Sequence, residues 1–393
     1  MVTVSSRTGA SRTLNGNDSL PQREAKMSPS RRRRRASPEW EGRDIITVAA
    51  LPGRGLYVRH LGHPEGVDGV HRPTVVLPGS APRPPASFDV AWLTEHLGEM
   101  QVVHVHGVSP RVSPEHVVAA AAAVKAAGRP LVVTAYHLSD PNGTDEANYA
   151  AQLDALLPVA DEVITITESA QAEIAKRWSV TASVLPHPHV VDFVRMRRPR
   201  SEQQRRGPFV VGAHLGSLRL PGDPVAVVAA LAAAAADLPQ VRLDVHVHDH
   251  LLDSDSTRYN PVTIREIERI VTQAGGNLRA HRPMTDAQLW DHLFSLDASF
   301  VPPLYGSHSI WPEACFDLGT QALLPGGTHA AAQRPGTVYA TSKDNVPDVD
   351  SLRAAIVEAQ EKGTGERADP SERFNERVRI SESLRAGYEK LLG

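Results

Sequence analysis

Residues 102–134 read VVHVHGVSPRVSPEHVVAAAAAVKAAGRPLVVT. The opening run VVHVH is apolar at most positions and stops at a glycine, as a buried strand does before a turn. Ser113 followed by Pro114 is a helix-start signature, and the alanine-rich stretch behind it ends at Gly128. A second apolar run follows at 131–134. Strand, helix and strand in this order predict a parallel βαβ unit that is covered on both faces.

The same alternation continues on both sides of this unit. Short apolar runs predict further strands at 45–51, 74–77, 162–167, 184–185, 209–211, 241–247, 277–279, 298–301 and 322–324. Helix starts are predicted at Leu56, Asp223-Pro224, Ile264, Thr285-Asp286 and Pro312, and closing helices at 351–360 and 372–392. We therefore predict an α/β fold of two doubly wound, Rossmann-like domains that face each other across a cleft.

Polar and basic residues interrupt this rhythm once, near the middle of the chain. The predicted organisation is a basic tail at 1–42, a first domain at 43–195, a linker at 196–207, a second domain at 208–362 and a closing helix at 363–393. Whether the closing helix packs back on the first domain is left open. Such a chain is expected to bind its ligand in the cleft, at the carboxyl ends of the strands.

Composition excludes several classes of protein. The 393 residues contain one cysteine, Cys315, so an internal disulfide framework and a cysteine-built zinc site are excluded. We interpret Cys315 as a buried small side chain rather than a nucleophile. The longest apolar run, 225–236, is shorter than the about 20 residues of a membrane-spanning helix. No apolar stretch at the start resembles a secretory signal, so a cytoplasmic location is expected.

Charge is distributed unevenly. The formal net charge of −3 combines +5 in residues 1–42 with −8 in the remainder. An acidic body argues against nucleic acid as the main ligand, because phosphate backbones are bound by clustered basic surfaces. The run Arg31–Arg35 is typical of a solvated tail; the alternative is a patch for a membrane surface or nucleic acid.

The segment 301–319, VPPLYGSHSIWPEACFDLG, is the strongest candidate for a site. A buried strand ends in two prolines, a Gly-Ser-His loop follows, and Glu313 lies at the start of a helix. Free backbone N–H groups at a helix start favour a diphosphate, and a carboxylate there can accept hydrogen bonds from sugar or ribose hydroxyls. Neither half of the chain carries a dinucleotide fingerprint, a P-loop or a nucleophile elbow.

Across roughly residues 45–340 the chain resembles the GT-B glycosyltransferases, specifically the retaining family-four type. The motifs that carry the resemblance are Pro52-Gly53-Arg54-Gly55, Val103-His104-Val105-His106-Gly107, Ala160-Asp161-Glu162-Val163-Ile164-Thr165, Leu185-Pro186-His187-Pro188, and Leu304-Tyr305 with Glu313-Ala314 and Gly319. One departure is clear. That family has a second glutamate eight residues before the position of Glu313, whereas this chain has Tyr305 there.

The resemblance implies transfer of a sugar, with retention, from a nucleotide diphosphate sugar, most commonly a UDP-sugar, to an acceptor that the sequence does not identify. It implies no cofactor and no metal, since basic residues or a helix start balance the charge of the leaving diphosphate. The implied catalytic residues are His137, Arg219 and Glu313. The implied donor-binding residues are Gly53, Gly55, Arg219, Gly306, Ser307, His308, Ser309 and Glu313.

Each of these residues also has an ordinary structural interpretation. Arg219 would then be a surface arginine, His137 a loop histidine with a satisfied hydrogen bond, and the glycines a strand-to-helix turn. His246, His248 and His250 alternate near Asp244 and Asp249, which is compatible with a metal, but a half-buried strand is the favoured interpretation.

Two other functions remain open at this stage. A GT-B sugar-nucleotide epimerase would use the same two domains, although the chain has few carboxylates at strand ends. An inactive GT-B module that binds a partner is the alternative that the missing glutamate supports.

Overall fold

The computed structural model describes residues 44–53, 55–73, 90–200, 207–363 and 365–393. The predicted tail at 1–42, the predicted strand at 74–77 and residues 201–206 of the predicted linker lie outside these ranges. Among the described residues, none of the helices combines the length and the apolar character that crossing a membrane requires.

The first half of the chain forms a parallel sheet of six strands. In chain order these are β1 (Ile46–Leu51), β2 (Val70–His71), β3 (Val102–Val105), β4 (Leu131–Thr134), β5 (Glu162–Thr165) and β6 (Ala182–Val184). The spatial order is β2-β1-β3-β4-β5-β6. The accompanying helices are α1 (Leu56–Arg59), α2 (Val90–His96), α3 (Pro114–Ala126), α4 (Glu146–Leu156), α5 (Glu168–Trp178) and α6 (Phe193–Met196).

The second half repeats this architecture with a different strand order. Its strands are β7 (Phe209–Gly216), β8 (Val241–His248), β9 (Asn277–His281), β10 (Ala298–Phe300), β11 (Gln321–Pro325) and β12 (Thr337–Tyr339), arranged β12-β11-β10-β7-β8-β9 and parallel throughout. Its helices are α7 (Pro224–Ala235), α8 (Pro261–Gln273), α9 (Asp286–Ser295), α10 (Ile310–Leu318) and α11 (Val349–Lys362). The predicted fold class, two doubly wound α/β domains, is confirmed.

Side-chain caps explain where the helices begin. Ser113 accepts a hydrogen bond from the His116 amide, and Asp223 accepts one from Val225, each immediately before a proline. Thr285 and Gln288 form a reciprocal capping box at α9. Helix α10 starts at Ile310, two residues before the predicted start at Pro312, because the Ser309 side chain caps the Trp311 amide.

The last helix, α12 (Pro370–Leu392), returns to the first sheet. Its buried residues Ile380, Leu384 and Tyr388 form one hydrophobic cluster with residues of β1, β3, β4 and β5. The Tyr388 hydroxyl lies 2.6 Å from Nδ1 of the buried His104, on β3. Arg377 also donates to the backbone carbonyl of Gly62. Arg385 donates to the backbone carbonyls of Asp68 and Gly69. The closing helix therefore joins both halves of the chain.

Candidate functional site

Each sheet has a point at which the strand order reverses. In the first sheet it lies between β1 and β3, and in the second between β7 and β10. Doubly wound sheets bind ligands outside the carboxyl ends of the strands at this point. The loops that leave these strands begin at Pro52, His106, Ser217 and Val301. They contain most of the residues that the sequence predicts for the site.

The loop after β10 contacts the loop after β4 directly. The Ser307 amide donates to Nδ1 of His137 over 3.1 Å, and the Leu138 amide donates to Oγ of Ser307 over 2.8 Å. His308 donates from Nδ1 to the Tyr136 carbonyl, at 2.6 Å, and its Nε2 lies 3.0 Å from Oγ1 of Thr167. The structure therefore brings His137, Ser307 and His308 together across the cleft.

Gly306 is the position that permits this contact. Its φ is +82°, in the region that favours glycine, and a Cβ there would lie 2.6 Å from Nδ1 of His137. Tyr305 packs in the same way against Gly143, whose φ is +60°. The residue that replaces the family's glutamate is thus in contact with the first domain.

His137 is held as a neutral imidazole. Burial lowers its pKa to about 3, and nearby His308 contributes to this shift. Because Nδ1 accepts the Ser307 amide, the ring carries its proton on Nε2. At neutral pH, His137 therefore offers a hydrogen-bond donor rather than a positive charge or a general base.

A polar and aromatic cluster lies beside this contact. The Tyr57 ring contacts the rings of His106, Tyr136 and His187. Both ring nitrogens of His106, the Tyr136 hydroxyl and Nε2 of His187 make no hydrogen bond to any residue that the structure describes. Burial lowers the pKa of His106 to about 3. Buried polar groups normally have partners, so these atoms are available to a ligand.

A small cavity of about 50 Å³ opens at the same place. His106 and Gly107, at the end of β3, and residues 134–137, at the end of β4, form part of its lining. The unpartnered atoms of the cluster and the ends of the strands therefore lie at one location.

Glu313 lies in a network of buried ion pairs. Its Oε2 accepts from Nε of Arg334 over 2.7 Å and from Nη2 of Arg373 over 2.8 Å, and its Oε1 accepts from Gln333 over 3.2 Å. The residue has no solvent exposure. Burial raises the pKa of its carboxyl, while Arg334 and Arg373 oppose that shift. The ribose contact that the resemblance implies for Glu313 stays a prediction.

The network extends to the carboxyl end of the first domain. Arg373, on α12, also pairs with Asp317 over 2.9 Å, and Oδ2 of Asp317 accepts the amides of Val190 and Val191. Burial raises the pKa of Asp317 to about 6. These contacts fix α10 relative to both α12 and the segment after β6.

Arg219 lies exposed in the loop after β7. Its Nη2 donates over 3.3 Å to the Asn142 carbonyl, which belongs to the first domain. Helix α7 begins a few residues later, at Pro224. Within the described ranges the guanidinium has this one hydrogen bond, which leaves most of its N–H groups free to bind an anion near that helix start.

The remaining predicted residues fall into two groups. Gly53 and Gly55 are exposed at the end of β1, and a Cβ at Gly55 would contact no atom within 4 Å. Ser309 exchanges backbone hydrogen bonds with the Gln333 side chain, which in turn contacts Glu313. The structure therefore links Ser309 to Glu313, whereas the two glycines belong to the loop after β1.

Sequence reasoning missed Gln333, Arg334 and Arg373. Arg334 follows β11 and Arg373 lies in the first turn of α12, so neither is near Glu313 along the chain. His329 was also missed; its ring bonds to Ser169 at 2.8 Å and to Glu173 at 2.9 Å, both on α5. No local motif marks these residues, because their pairing depends on how the two halves pack.

No family model matches the chain, and no curated protein matches it. Solved structures do. The Anabaena protein HepE in complex with UDP and glucose matches with a TM-score of 0.56 at 15% identity, covering 88% of this chain and 100% of that one. Sucrose-phosphate synthase from Thermosynechococcus elongatus matches with a TM-score of 0.55 at 16% identity, covering 89% and 99%. This likeness shows the GT-B fold that the sequence motifs predict.

Proposed function

We propose that the chain is a glycosyltransferase that moves a sugar from a nucleotide diphosphate sugar, with UDP as the nucleotide, to an acceptor bound by the first domain. The observation that carries this proposal is the contact between the loop after β10, at the switch point of the second sheet, and the loop after β4 of the first sheet, beside buried polar atoms that have no partner among the described residues. The GT-B likeness supports it, since HepE and sucrose-phosphate synthase share this architecture.

In this proposal the donor's diphosphate lies between Arg219 and the start of α7. Arginine binds phosphate through paired N–H donors, and the amides at a helix start carry partial positive charge. Leu220 and Gly222 bring the chain from Arg219 to the capping residue Asp223 within one short loop. The leaving diphosphate gains charge as the sugar–phosphate bond breaks, so these donors act most strongly in the transition state.

The sugar would lie towards His137 and the unpartnered cluster. The Nε2–H of neutral His137 can donate to a sugar hydroxyl, while the unprotonated ring nitrogen of His106 can accept from one. We propose transfer with retention, in which the leaving diphosphate helps to take the acceptor's proton, so that no protein nucleophile is required. The cytoplasmic location expected from the sequence stays a prediction.

An inactive GT-B module is the second candidate. The observation that favours it is the packing of Tyr305, where the family has a glutamate, together with the ion pairs that occupy both oxygens of Glu313. Such a module would bind a nucleotide sugar without turning it over.

Both candidates are tested with a panel of UDP-, GDP- and TDP-sugars, followed by calorimetry for binding and by nucleotide release for turnover. The proposed function predicts release of UDP as the sugar is transferred to water in place of the acceptor, and NMR of the freed sugar before mutarotation should show the donor's anomer. Binding without release would support the inactive module. Release of a free 2-epimer of the sugar would instead indicate the epimerase.

Arg219→Ala tests the assigned leaving-group role. We expect kcat to fall by about 100-fold, comparable to the loss of one oxyanion donor, with a much smaller rise in KM. Arg219→Lys should recover only part of the lost kcat, because the point charge of an ammonium group does not reproduce the paired N–H donors of a guanidinium. Arg258→Ala, at another exposed arginine of the same domain, is the matched control. A rise in KM at unchanged kcat would contradict this role.

A further inference from the structure

One face of the second sheet carries an unusual group of histidines. Asp244, His246 and His248 alternate on β8, while Val245 and Val247 between them belong to the hydrophobic core on the other face. His246 lies in register with His214 of β7, and His248 with His281 of β9. Helix α9 brings a further histidine, His292, to this face, and its ring centroid lies 4.1 Å from that of His246.

The histidines on this face differ from the three that the sequence predicts to alternate there. The predicted alternation over 246, 248 and 250 ends at His248, because His250 lies in a short 3-10 helix, Asp249–Leu251. His292, more than forty residues further along the chain, takes the third position. Its place on the sheet could not be derived from local spacing.

Several nitrogens of these rings have no partner. His246 is 6% exposed, and its Nδ1 makes no hydrogen bond to a described residue; the same holds for Nε2 of His292. Buried polar atoms are almost always hydrogen-bonded, because an unpaired one loses its hydration without compensation. An ion bound through Nε2 of His292 would satisfy that atom.

We propose that Asp244, His246 and His292 bind a divalent transition-metal ion of the zinc type. One ligand atom from each of the three residues lies within 4.8 Å of the others. Oδ2 of Asp244 and Nε2 of His246 are 3.2 Å apart. Two ligands of a tetrahedral zinc ion, with bonds of about 2.0–2.1 Å, are separated by about 3.3 Å. The pair already has that spacing, and a small movement of His292 completes the set.

The donor types select the ion. Two imidazoles with one carboxylate suit zinc and its first-row neighbours, whereas magnesium and calcium prefer oxygen alone and copper(I) prefers sulfur. Arg279 donates to the other oxygen of Asp244 over 2.9 Å and so orients the carboxylate.

The site would join β8 to α9. Asp286, the first residue of α9, pairs with Arg59 of the first domain over 2.7 Å. A metal at His292 would therefore fix the helix that makes this contact between the two halves.

The test uses the full chain, with its purification tag removed, stripped with a chelator and reloaded with Zn²⁺ alone. Elemental analysis after gel filtration should give about one zinc per chain. Cobalt substitution should give the intense visible bands of a tetrahedral ion. His292→Gln and, separately, His246→Asn should weaken binding by more than about 100-fold, beyond what loss of an outer partner costs.

His248→Gln is the matched control. It lies on the same strand and face, but its Nδ1 contacts Ser217 Oγ at 3.1 Å, and we expect zinc affinity within about threefold of wild type, well below the cost of an outer partner. His292 is half-buried on a helix, so its variant should stay folded even where His246→Asn does not. Folded wild type without stoichiometric zinc, or equal loss in His248→Gln and His292→Gln, would overturn the proposal.

Discussion

At the scale of single residues, Glu313 is the clearest case of a side chain whose environment sets its role. The sequence places it at a helix start, where a ligand could reach it. The structure places it between Arg334 and Arg373, without solvent exposure. A buried charge of this kind is expensive to leave unpaired, because neither arginine can recover its hydration.

Glu313→Gln should therefore lower the free energy of unfolding by about 3–5 kcal/mol, the cost of removing one partner from a buried ion pair. Thermal denaturation measures this. Glu372→Gln, at an exposed position of α12, is the control and should have little effect. The ribose hypothesis predicts in addition a weaker donor affinity in the folded variant at low temperature. Unchanged affinity would remove Glu313 from the donor site.

At the scale of structural elements, the loop after β10 decides how the two sheets meet. Gly306 lets Ser307 and His308 reach the loop after β4, and no other residue fits there without displacing His137. The same loop was the strongest sequence candidate for the site. Its glycine and histidine serve contact between the halves as well as any ligand.

Gly306→Ala should cost more than its backbone conformation alone explains. Gly275 has a similar φ, +72°, but open space where a Cβ would be, so Gly275→Ala isolates the backbone cost of about 1–2 kcal/mol. In chemical denaturation, we expect the stability cost of Gly306→Ala to exceed that of Gly275→Ala by at least about 1 kcal/mol, because His137 must move. Equal costs would mean that the contact contributes nothing to stability.

The closing helix offers a second prediction at this scale. Tyr388→Phe removes the hydroxyl that pairs with buried His104 and should destabilise the protein by about 1–3 kcal/mol. Tyr259→Phe is the control, since Tyr259 is 48% exposed. The measurement is urea denaturation at neutral pH. If both variants match wild type, the contact between α12 and β3 depends on apolar packing alone.

At the scale of the whole molecule, buried histidines dominate the dependence of stability on pH. The pKa is lowered, with burial the largest cause, at ten described positions: His60, His104, His106, His137, His187, His189, His214, His248, His292 and His308. Below the ordinary histidine pKa of about 6.5 the unfolded chain binds protons that the folded protein does not. Asp317, with its pKa raised to about 6, acts in the opposite direction, as do Glu313 and Asp297, whose pKa values burial also raises.

Stability should therefore fall steeply as pH is lowered from 6.5 to 5. Each histidine whose pKa is about 3 in the folded protein should lower the free energy of unfolding by up to about 2 kcal/mol over that interval. Denaturant titrations at pH 7.5, 6.5, 5.8 and 5 measure the effect, and calorimetry in two buffers measures the protons taken up on unfolding. A flat profile between pH 7 and 5 would show that these rings are already charged or solvated in the folded protein.

The sequence by itself determined the fold class and most of the local elements. Apolar runs of strand length, together with caps such as Ser113-Pro114 and Asp223-Pro224, depend on neighbours a few residues away, so they are visible without the structure. Helix α4 escaped prediction, since its apolar residues are distributed around the helix with little contrast between its faces. The motifs at the strand ends located the loops of the candidate site.

Only the tertiary structure decided which side chains meet in those loops. Glu313 pairs with Arg334 and Arg373, twenty-one and sixty residues away along the chain. His246 meets His292 through the packing of a helix on a sheet. Such contacts follow from the relative placement of elements, which is set by the sum of many small packing energies over the whole core. Local sequence patterns therefore do not predict these contacts.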